Sequence, residues 1–353
     1  MHGRNGKFDA DAFPIARALG APFRSFTAQI TTVTLLSVAF SYYAAFFLGT
    51  ARPNFPSKYL VLSMVGLVLI ASGSLFAYTV GLLVSGEQQP YPKVWEKARS
   101  FIAPQALIEK VLPLLLMFAF LGAFTQMKAL IPSIHPFAWD AAFSEADRLI
   151  FGTDPWRLTH AVIGPFATRV IDAVYLMWFP IFTCVLFYHA VFAGKEQKRR
   201  FFLSVYGAWM VLGIMAATLF SSAGPCFLDL IGSPVSQNYA GLFPTSPASQ
   251  RVMDYLADTY RTGNLGIGTG ISAMPSLHVS MAFLYVLMAR KPAMKAIAVA
   301  YALVILVGSV HLGWHYAVDG IFALLGTLLI YAMTSIPEQG RAAIAPTEVS
   351  LST

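Results

Sequence analysis

Residues 293–335 read AMKAIAVAYALVILVGSVHLGWHYAVDGIFALLGTLLIYAMTS, and this stretch decides the fold. It is almost wholly apolar and about twice as long as the ~20 residues that a helix needs to cross a bilayer. The chain must therefore turn back within it, and Gly313, beside His311, Trp314 and His315, is the natural turning point. The stretch thus predicts two membrane helices joined by a polar turn.

The composition of the whole chain agrees with this prediction. Of its 353 residues, 57% are hydrophobic and 12% are charged, whereas a soluble domain carries about 25% charged residues. We therefore predict an all-α polytopic membrane protein, because helices satisfy their own backbone hydrogen bonds within the bilayer. The apolar runs predict eight transmembrane helices, at about residues 27–49, 59–85, 106–131, 168–194, 200–221, 274–290, 293–312 and 315–335.

The net charge of +7 bears on both partners and orientation. Lysine and arginine lie between the apolar runs rather than in one cluster, so the positive-inside rule explains them and we expect no nucleic-acid partner. With a cytoplasmic N-terminus, the inner segments hold most of these cations, which predicts that both termini are cytoplasmic. The lean architecture and short tails favour a bacterial inner membrane, with the opposite face in the periplasm.

Two long loops, about 132–167 and 222–273, then lie on the outer side. In the first loop, apolar and charged residues interleave from Phe137 to Phe151. In the second loop, Gln250 to Tyr260 is a further short amphipathic segment. Both patterns predict helices that lie in the membrane interface rather than cross it.

Two polar clusters stand at the heads of apolar stretches on this outer side. The first is Ser272-Ala-Met-Pro-Ser-Leu-His278, and the second is His311-Leu-Gly-Trp-His-Tyr-Ala-Val-Asp319. A single histidine at a helix end is usually an interfacial residue. Ionisable groups inside membranes cost about 2.5–3.5 kcal/mol each on insertion scales and mark functional sites, so several that converge on one side indicate such a site.

His315 and Asp319 carry the chemistry that we predict for this site. They are four residues apart at the start of a helix, so they share one face and can form a hydrogen bond. A carboxylate on one imidazole nitrogen leaves the other nitrogen basic, as a nucleophilic histidine requires. His278 starts another helix on the same side, where it can protonate a departing oxygen and then activate an acceptor. The histidine spacing is not of a metal-binding type, so we predict neither zinc nor another cofactor.

Candidate phosphate ligands lie near His278 and in the second outer loop. Pro275 suits the first turn of a helix, so the free N–H groups that follow it and the Ser276 hydroxyl predict an anion site at the positive end of the helix dipole. Arg251 and Arg261 either hold phosphate oxygens or are merely solvated.

These motifs resemble those of a known family. Pro275-Ser-Leu-His278 followed by His315-x-x-x-Asp319 resembles the second and third motifs of the type 2 phosphatidic acid phosphatase superfamily. The Ser-Leu-His and His-Tyr-x-x-Asp forms are most similar to its inositol phosphorylceramide synthase branch. Asp147-Arg-Leu-Ile-Phe-Gly-Thr-Asp-Pro155 and Gly224-Pro-Cys-Phe227 resemble that branch less specifically, and the resemblance covers about residues 147–330.

The resemblance implies a role for each of the three residues. His315 becomes phosphohistidine, Asp319 orients it, and His278 acts as general acid and base. The resemblance also implies a six-helix catalytic core preceded by two accessory helices. The implied domains are 1–105 with the accessory helices, 106–335 as the core and 336–353 as a cytoplasmic tail.

Two features of the superfamily have no clear match in this sequence. The first motif, a lysine separated by six residues from Arg-Pro, is missing, since Arg52-Pro53 lacks the lysine and lies in the wrong loop. The Ser-Arg pair before the third-motif histidine is also missing, with Ser309 in the place of the arginine and His311 two residues later. His311, Arg251 and Arg261 are therefore the predicted replacement ligands for phosphate. These losses favour a transferase over a plain phosphatase.

We thus predict a lipid phosphotransferase that moves a phospho-headgroup from a lipid donor to a lipid alcohol. The alternative is a phosphatase that hydrolyses phosphatidate-like or polyprenyl phosphates, and a lipid or ion transporter is more remote because the polar cluster lies near one surface and no inverted repeat is visible. The predicted partners are membrane lipids and the bilayer. All of this requires the rings of His278 and His315 to face one pocket.

Overall fold

The computed structural model describes residues 25–49, 57–103, 106–242 and 247–334. These residues form helices and connecting loops without a β-strand, so the predicted all-α polytopic class is confirmed. Most of the predicted N-terminal cytoplasmic segment, Arg52-Pro53 and the tail 336–353 lie outside the described residues. The helices are α1 (Phe26–Phe47), α2 (Ser57–Val84), α3 (Pro90–Ile102), α4 (Leu107–Ile134), α5 (Asp140–Phe151), α6 (Pro155–Val162), α7 (Pro165–Leu176), α8 (Trp178–Val191), α9 (Lys195–Leu219), α10 (Pro247–Thr262), α11 (Leu277–Met288), α12 (Pro292–His311) and α13 (Ala317–Met333).

Each of the eight predicted apolar segments is occupied by helix. Five helices within the described residues, α1, α2, α4, α9 and α12, are long and apolar enough to cross a membrane. The pair α7 and α8, bent by 41° at their junction, makes a sixth crossing if it is one span. The remaining two segments correspond to α11 and α13, which are apolar but shorter.

The short length of α11 has a local cause at its N-terminus. Ser276 is the N-cap, and its side chain accepts a hydrogen bond from Val279 N at 3.4 Å. Pro275 therefore lies before the cap rather than in the first helical turn, where the sequence had placed it. The helix has 12 residues, which at 1.5 Å per residue gives about 18 Å, less than the ~30 Å hydrocarbon core.

The amphipathic segments of both long loops are helical. Helix α5 begins at Asp140, and its buried residues recur at helical spacing: Asp140, Phe143, Ser144 and Asp147. Helix α10 corresponds to the segment predicted from Gln250 to Tyr260. Their location in the membrane interface stays a prediction.

The chain divides into two compact units. Among the described residues, the first unit comprises those up to Phe124 together with Ala190–Phe192, and the second comprises Thr125–His189 and those from Ala193 onward. Both polar clusters belong to the second unit. The predicted boundary between accessory helices and catalytic core, at residue 105, stays a prediction.

Small and polar residues join the helices that carry the second unit's core. The Ser280 and Thr327 hydroxyl oxygens lie 2.6 Å apart and link α11 to α13. At Gly320, an added Cβ would lie 2.6 Å from Leu306, so α12 and α13 approach closely there. Close packing of small residues and hydroxyl hydrogen bonds are typical of helix contacts in membranes, where apolar burial provides little attraction between helices.

Candidate active site

The starts of α11 and α13 bring the two polar clusters together. The ring centroids of His278 and His315 lie 6.2 Å apart, and the ring planes are tilted by 57°. His278 is the second residue of α11, and His315 comes just before Tyr316, the N-cap of α13. The Ser276 N–H donates to the backbone oxygen of Asp319 at 3.4 Å and connects the two helix starts. Two imidazoles at this separation can flank one tetrahedral phosphorus atom.

His315 is oriented by Asp319. Its Nδ1 lies 3.2 Å from Asp319 Oδ2, and that oxygen also accepts from Tyr316 N at 3.1 Å. The Asp319 side chain is fully buried and that of His315 is 8% exposed. A neutral imidazole that donates through Nδ1 keeps its lone pair on Nε2, which is the form a nucleophile needs.

The turn before His315 depends on Gly313. Helix α12 ends at His311 and α13 begins at Ala317, so the break falls at Gly313, as predicted. Gly313 has a φ of +78°, and an added Cβ would lie 2.5 Å from Leu242. Only glycine adopts this conformation without strain and also leaves room for the neighbour.

Aromatic rings hold His278. Tyr175 stacks on it with centroids 4.8 Å apart and planes 12° from parallel, and the Trp178 ring centroid lies 4.3 Å away. The Trp178 indole also donates to the backbone oxygen of His278 at 3.1 Å. These contacts hold the His278 imidazole in place between aromatic rings. Neither aromatic residue could be recognised from the sequence, because aromatic residues in an apolar helix ordinarily form core.

Asp147 of helix α5 forms hydrogen bonds with the start of α13. Its two carboxylate oxygens accept from Ala317 N at 2.8 Å and from Val318 N at 2.9 Å. These N–H groups belong to the first turn of α13, where no helical carbonyl is available to accept them. The negative charge also suits the positive end of the helix dipole. Asp147 therefore caps the helix that carries Asp319.

Asp140, on the same face of α5, fixes the loop beside the site. It accepts from Ala223 N and Gly224 N, both at 2.9 Å, and from the Tyr316 hydroxyl at 2.9 Å. Gly224 has a φ of +94°, and a Cβ there would lie 2.7 Å from the Trp314 backbone oxygen. The Asp147–Pro155 and Gly224–Phe227 segments that resembled the synthase branch thus contribute scaffold contacts.

Two of the predicted phosphate ligands, Ser276 and His311, have hydrogen-bond partners within the protein. The Ser276 hydroxyl caps α11, and the Ser276 N–H donates to the backbone oxygen of Asp319. Phosphate binding at this residue stays a prediction. The buried His311 ring lies between two threonine hydroxyls, with Nε2 2.9 Å from Thr168 and Nδ1 3.1 Å from Thr159. Both ring nitrogens of His311 therefore have partners within the protein, and phosphate binding by His311 stays a prediction.

Arg251 and Arg261 lie on α10, and both side chains are exposed. Neither guanidinium has a hydrogen-bond or ion-pair partner within the part of the chain that the structure describes. Whether they bind phosphate stays a prediction.

Lys128, on α4, is a further candidate residue of the site that was not predicted from the sequence. Its ammonium lies close enough to His278 for the charge to act on the imidazole. The backbone at Gly270, where an added Cβ would be 3.0 Å from Lys128 Cγ, packs against its stem.

A signal for Lys128 is present in the sequence. Lys128 is separated by six residues from His135-Pro136, so the first motif is present with histidine in place of arginine. The expectation that this motif has no match in the chain is therefore corrected. The substituted His135 ring contacts the Thr218 backbone oxygen, with Nδ1 at 2.9 Å.

A helical membrane protein in which a His–Asp pair lies beside a second histidine has the groups needed for phosphoryl transfer. A family model of the PAP2 superfamily matches residues 141–333. The match covers more than half of the chain and includes His278, His315 and Asp319, so the chain belongs to the PAP2 superfamily. Its members are generally phosphatases or phosphotransferases that act on phosphorylated lipids. The match does not distinguish the inositol phosphorylceramide synthase branch, and no curated protein and no solved structure matches the chain.

The Asp147 cap predicts a pH dependence of stability. Burial raises the pKa of Asp147 to about 6 from 3.8, with smaller contributions from Asp319 and Asp154, although the N–H groups of Ala317 and Val318 lower it. At pH ~5 the folded protein therefore holds a proton that the unfolded chain has released. This preferential protonation of the folded state stabilises it by about 3 kcal/mol. The stabilisation is complete below pH ~4 and is lost as the pH rises through ~6.

Comparison with Asp147→Asn in detergent isolates this effect, because the amide does not titrate. Between pH 4 and 7, the thermal midpoint of the wild type should fall relative to that of the variant. Parallel midpoint curves for the two proteins would contradict the assignment.

Proposed function

We propose that this protein is a membrane lipid phosphotransferase that moves a phospho-headgroup from a lipid donor to a lipid alcohol through a phosphohistidine. The observation that carries the proposal is the juxtaposition of the His315–Asp319 pair with His278, 6.2 Å away between ring centroids. The proposal places the site on the outer side of the membrane and both termini in the cytoplasm. The distribution of lysine and arginine supports this orientation.

The first half-reaction forms a phosphorus–nitrogen bond. His315 Nε2 attacks the phosphorus in line and the bond from phosphorus to the lipid oxygen breaks. His278, protonated, gives its proton to that departing oxygen. Asp319 accepts the hydrogen bond of the Nδ1–H and stabilises the positive charge that develops on the His315 ring.

The second half-reaction reverses these roles. His278, now neutral, takes the proton of an acceptor hydroxyl, and the acceptor oxygen attacks phosphorus. The phosphorus–nitrogen bond breaks and His315 returns to its starting state. A lipid alcohol as acceptor gives headgroup transfer, and water gives hydrolysis.

Lys128 supplies the positive charge that the phosphoryl oxygens require. A cation beside His278 stabilises the extra negative charge of the transition state, and it is most effective where water is excluded. We place Lys128 ahead of Ser276 and His311 in this role, because both of those residues have hydrogen-bond partners within the protein.

The choice between alcohol and water rests on the surroundings of His278. The stacked Tyr175 and Trp178 rings make an apolar wall beside the acid–base residue, which favours a lipid alcohol. Lipid phosphate hydrolysis is the second candidate, since buried polar atoms of Tyr175 and Asp319 next to the site favour the presence of water.

His315→Ala should abolish turnover, with a fall of at least about a thousandfold, because no other group forms the covalent intermediate. Released phosphate and transferred headgroup are measured on a panel of lipid phosphates, together with trapping of an acid-labile, base-stable phosphoprotein. His311→Gln is the matched control, since glutamine preserves hydrogen bonding to the threonines, and it should retain most activity. Equal turnover in wild type and His315→Ala would end the nucleophile assignment.

Lys128→Met removes the charge and keeps an apolar stem, so kcat/KM should fall by about a hundredfold, as for loss of one transition-state donor. Lys128→Arg should restore part of that loss. Lys110→Met, at the other end of α4, is the matched control and should behave as wild type in the same assay. An undiminished kcat/KM in Lys128→Met would exclude the lysine from phosphate stabilisation.

A further inference from the structure

The two histidines of the site are oriented by different kinds of contact. Asp319 holds the His315 imidazole through a hydrogen bond at Nδ1. Among the described residues, no hydrogen bond or ion pair holds the His278 imidazole. A general acid and base must give up its proton and take another, so ring nitrogens that are not bound to a carboxylate suit this role. The orientation of His278 must then come from packing.

Trp178 contacts His278 in two ways. The centroid of its ring lies 4.3 Å from that of the imidazole, with the planes tilted by 40°. Its indole N–H also donates to the backbone oxygen of His278 at 3.1 Å. Trp178 is only 6% exposed, so both contacts are shielded from solvent. One side chain therefore fixes the backbone and the ring of the acid–base residue together.

The indole of Trp178 is itself held in place by α8. Phe182, one helical turn later, is fully buried and stacks on it, with centroids 5.5 Å apart and planes 5° from parallel. Trp178 is the first residue of α8, directly after the 41° bend from α7. Pro180 has no N–H to donate to the backbone oxygen of Leu176, which accounts for a break at this point. Trp178 thus occupies a packed helix start rather than a loop.

We propose that Trp178 is a positioning residue that aligns His278 for proton transfer to the departing lipid oxygen. This rests on the proposed function. The attack by His315 does not depend on the indole, because Asp319 and the start of α13 orient that ring. Trp178 acts only through His278. Its loss should therefore impair protonation of the oxygen that leaves phosphorus and should spare the nucleophile.

Trp178→Phe removes the indole N–H and keeps an aromatic ring. The rate of phosphoprotein formation is measured in single turnovers with dioctanoyl phosphatidate and with 4-nitrophenyl phosphate, which give the same phosphohistidine. The departing lipid alcohol needs a proton, whereas nitrophenolate leaves without one. The variant should be about tenfold slower than the wild type with phosphatidate and within about twofold of it with the nitrophenyl ester, since proton transfer contributes about 10²–10⁴-fold to such reactions. A wild type that prefers a phosphodiester lipid is tested with that lipid and the nitrophenyl ester of its headgroup phosphate.

Trp209→Phe is the matched control. Trp209 is also 6% exposed, and its indole donates to Met281 Sδ at 3.4 Å, on the same helix α11. The substitution thus removes an indole hydrogen bond to α11 at a residue other than His278, and it keeps an aromatic ring. The control should react at the wild-type rate with both substrates.

Three results would overturn the proposal: no loss with phosphatidate in Trp178→Phe, an equal loss with both substrates, or the same selective loss in Trp209→Phe. If Trp178→Phe does not fold, benzothienylalanine at position 178, in which sulfur replaces the indole N–H, is judged by the same criteria. A wild type that forms no phosphoprotein with any donor would refute the proposed function, whereas an active wild type with any overturning result refutes only this inference.

Discussion

The buried carboxylate of Asp319 is the constraint on which the site depends. A carboxylate taken out of water is costly unless hydrogen bonds and opposite charge replace its hydration. Here the replacement comes from the His315 imidazole, the Tyr316 N–H and the N-terminus of α13. The same contacts that make the charge tolerable also orient His315, so stability and chemistry are supplied by one arrangement.

Two further carboxylates extend this arrangement into the long loops at residues 132–167 and 222–273. Asp147 and Asp140 project from one face of α5 and accept backbone N–H groups at the start of α13 and in the loop at Gly224. Helix α11 joins through the bond from Ser276 N to Asp319. The first long loop therefore fixes the start of α13, to which α11 is joined, and this explains why Asp140 and Asp147 are buried.

The sequence predicts the apolar segments and the His315–Asp319 pair well, because hydropathy and four-residue spacing are local properties. It also predicts that His278 approaches His315, since both start helices on one side. The contacts of the His311 ring could not be predicted, because Thr159 and Thr168 lie more than 140 residues away in the chain. The capping role of Ser276 could not be predicted either, because a helix cap and an anion site use the same N–H groups. Lys128 was missed because His135 replaces the arginine of its motif, and Tyr175 because its stacking on His278 is a tertiary contact.

The most direct test of the central claim is an experimental structure of the protein with orthovanadate, which mimics the five-coordinate phosphoryl group. We expect vanadium to be bonded to His315 Nε2, with an apical oxygen on the opposite side within hydrogen-bonding distance of His278. Lys128 should contact an equatorial oxygen. Vanadate bound away from His315, or a His278 ring turned away from the apical oxygen, would contradict the central claim.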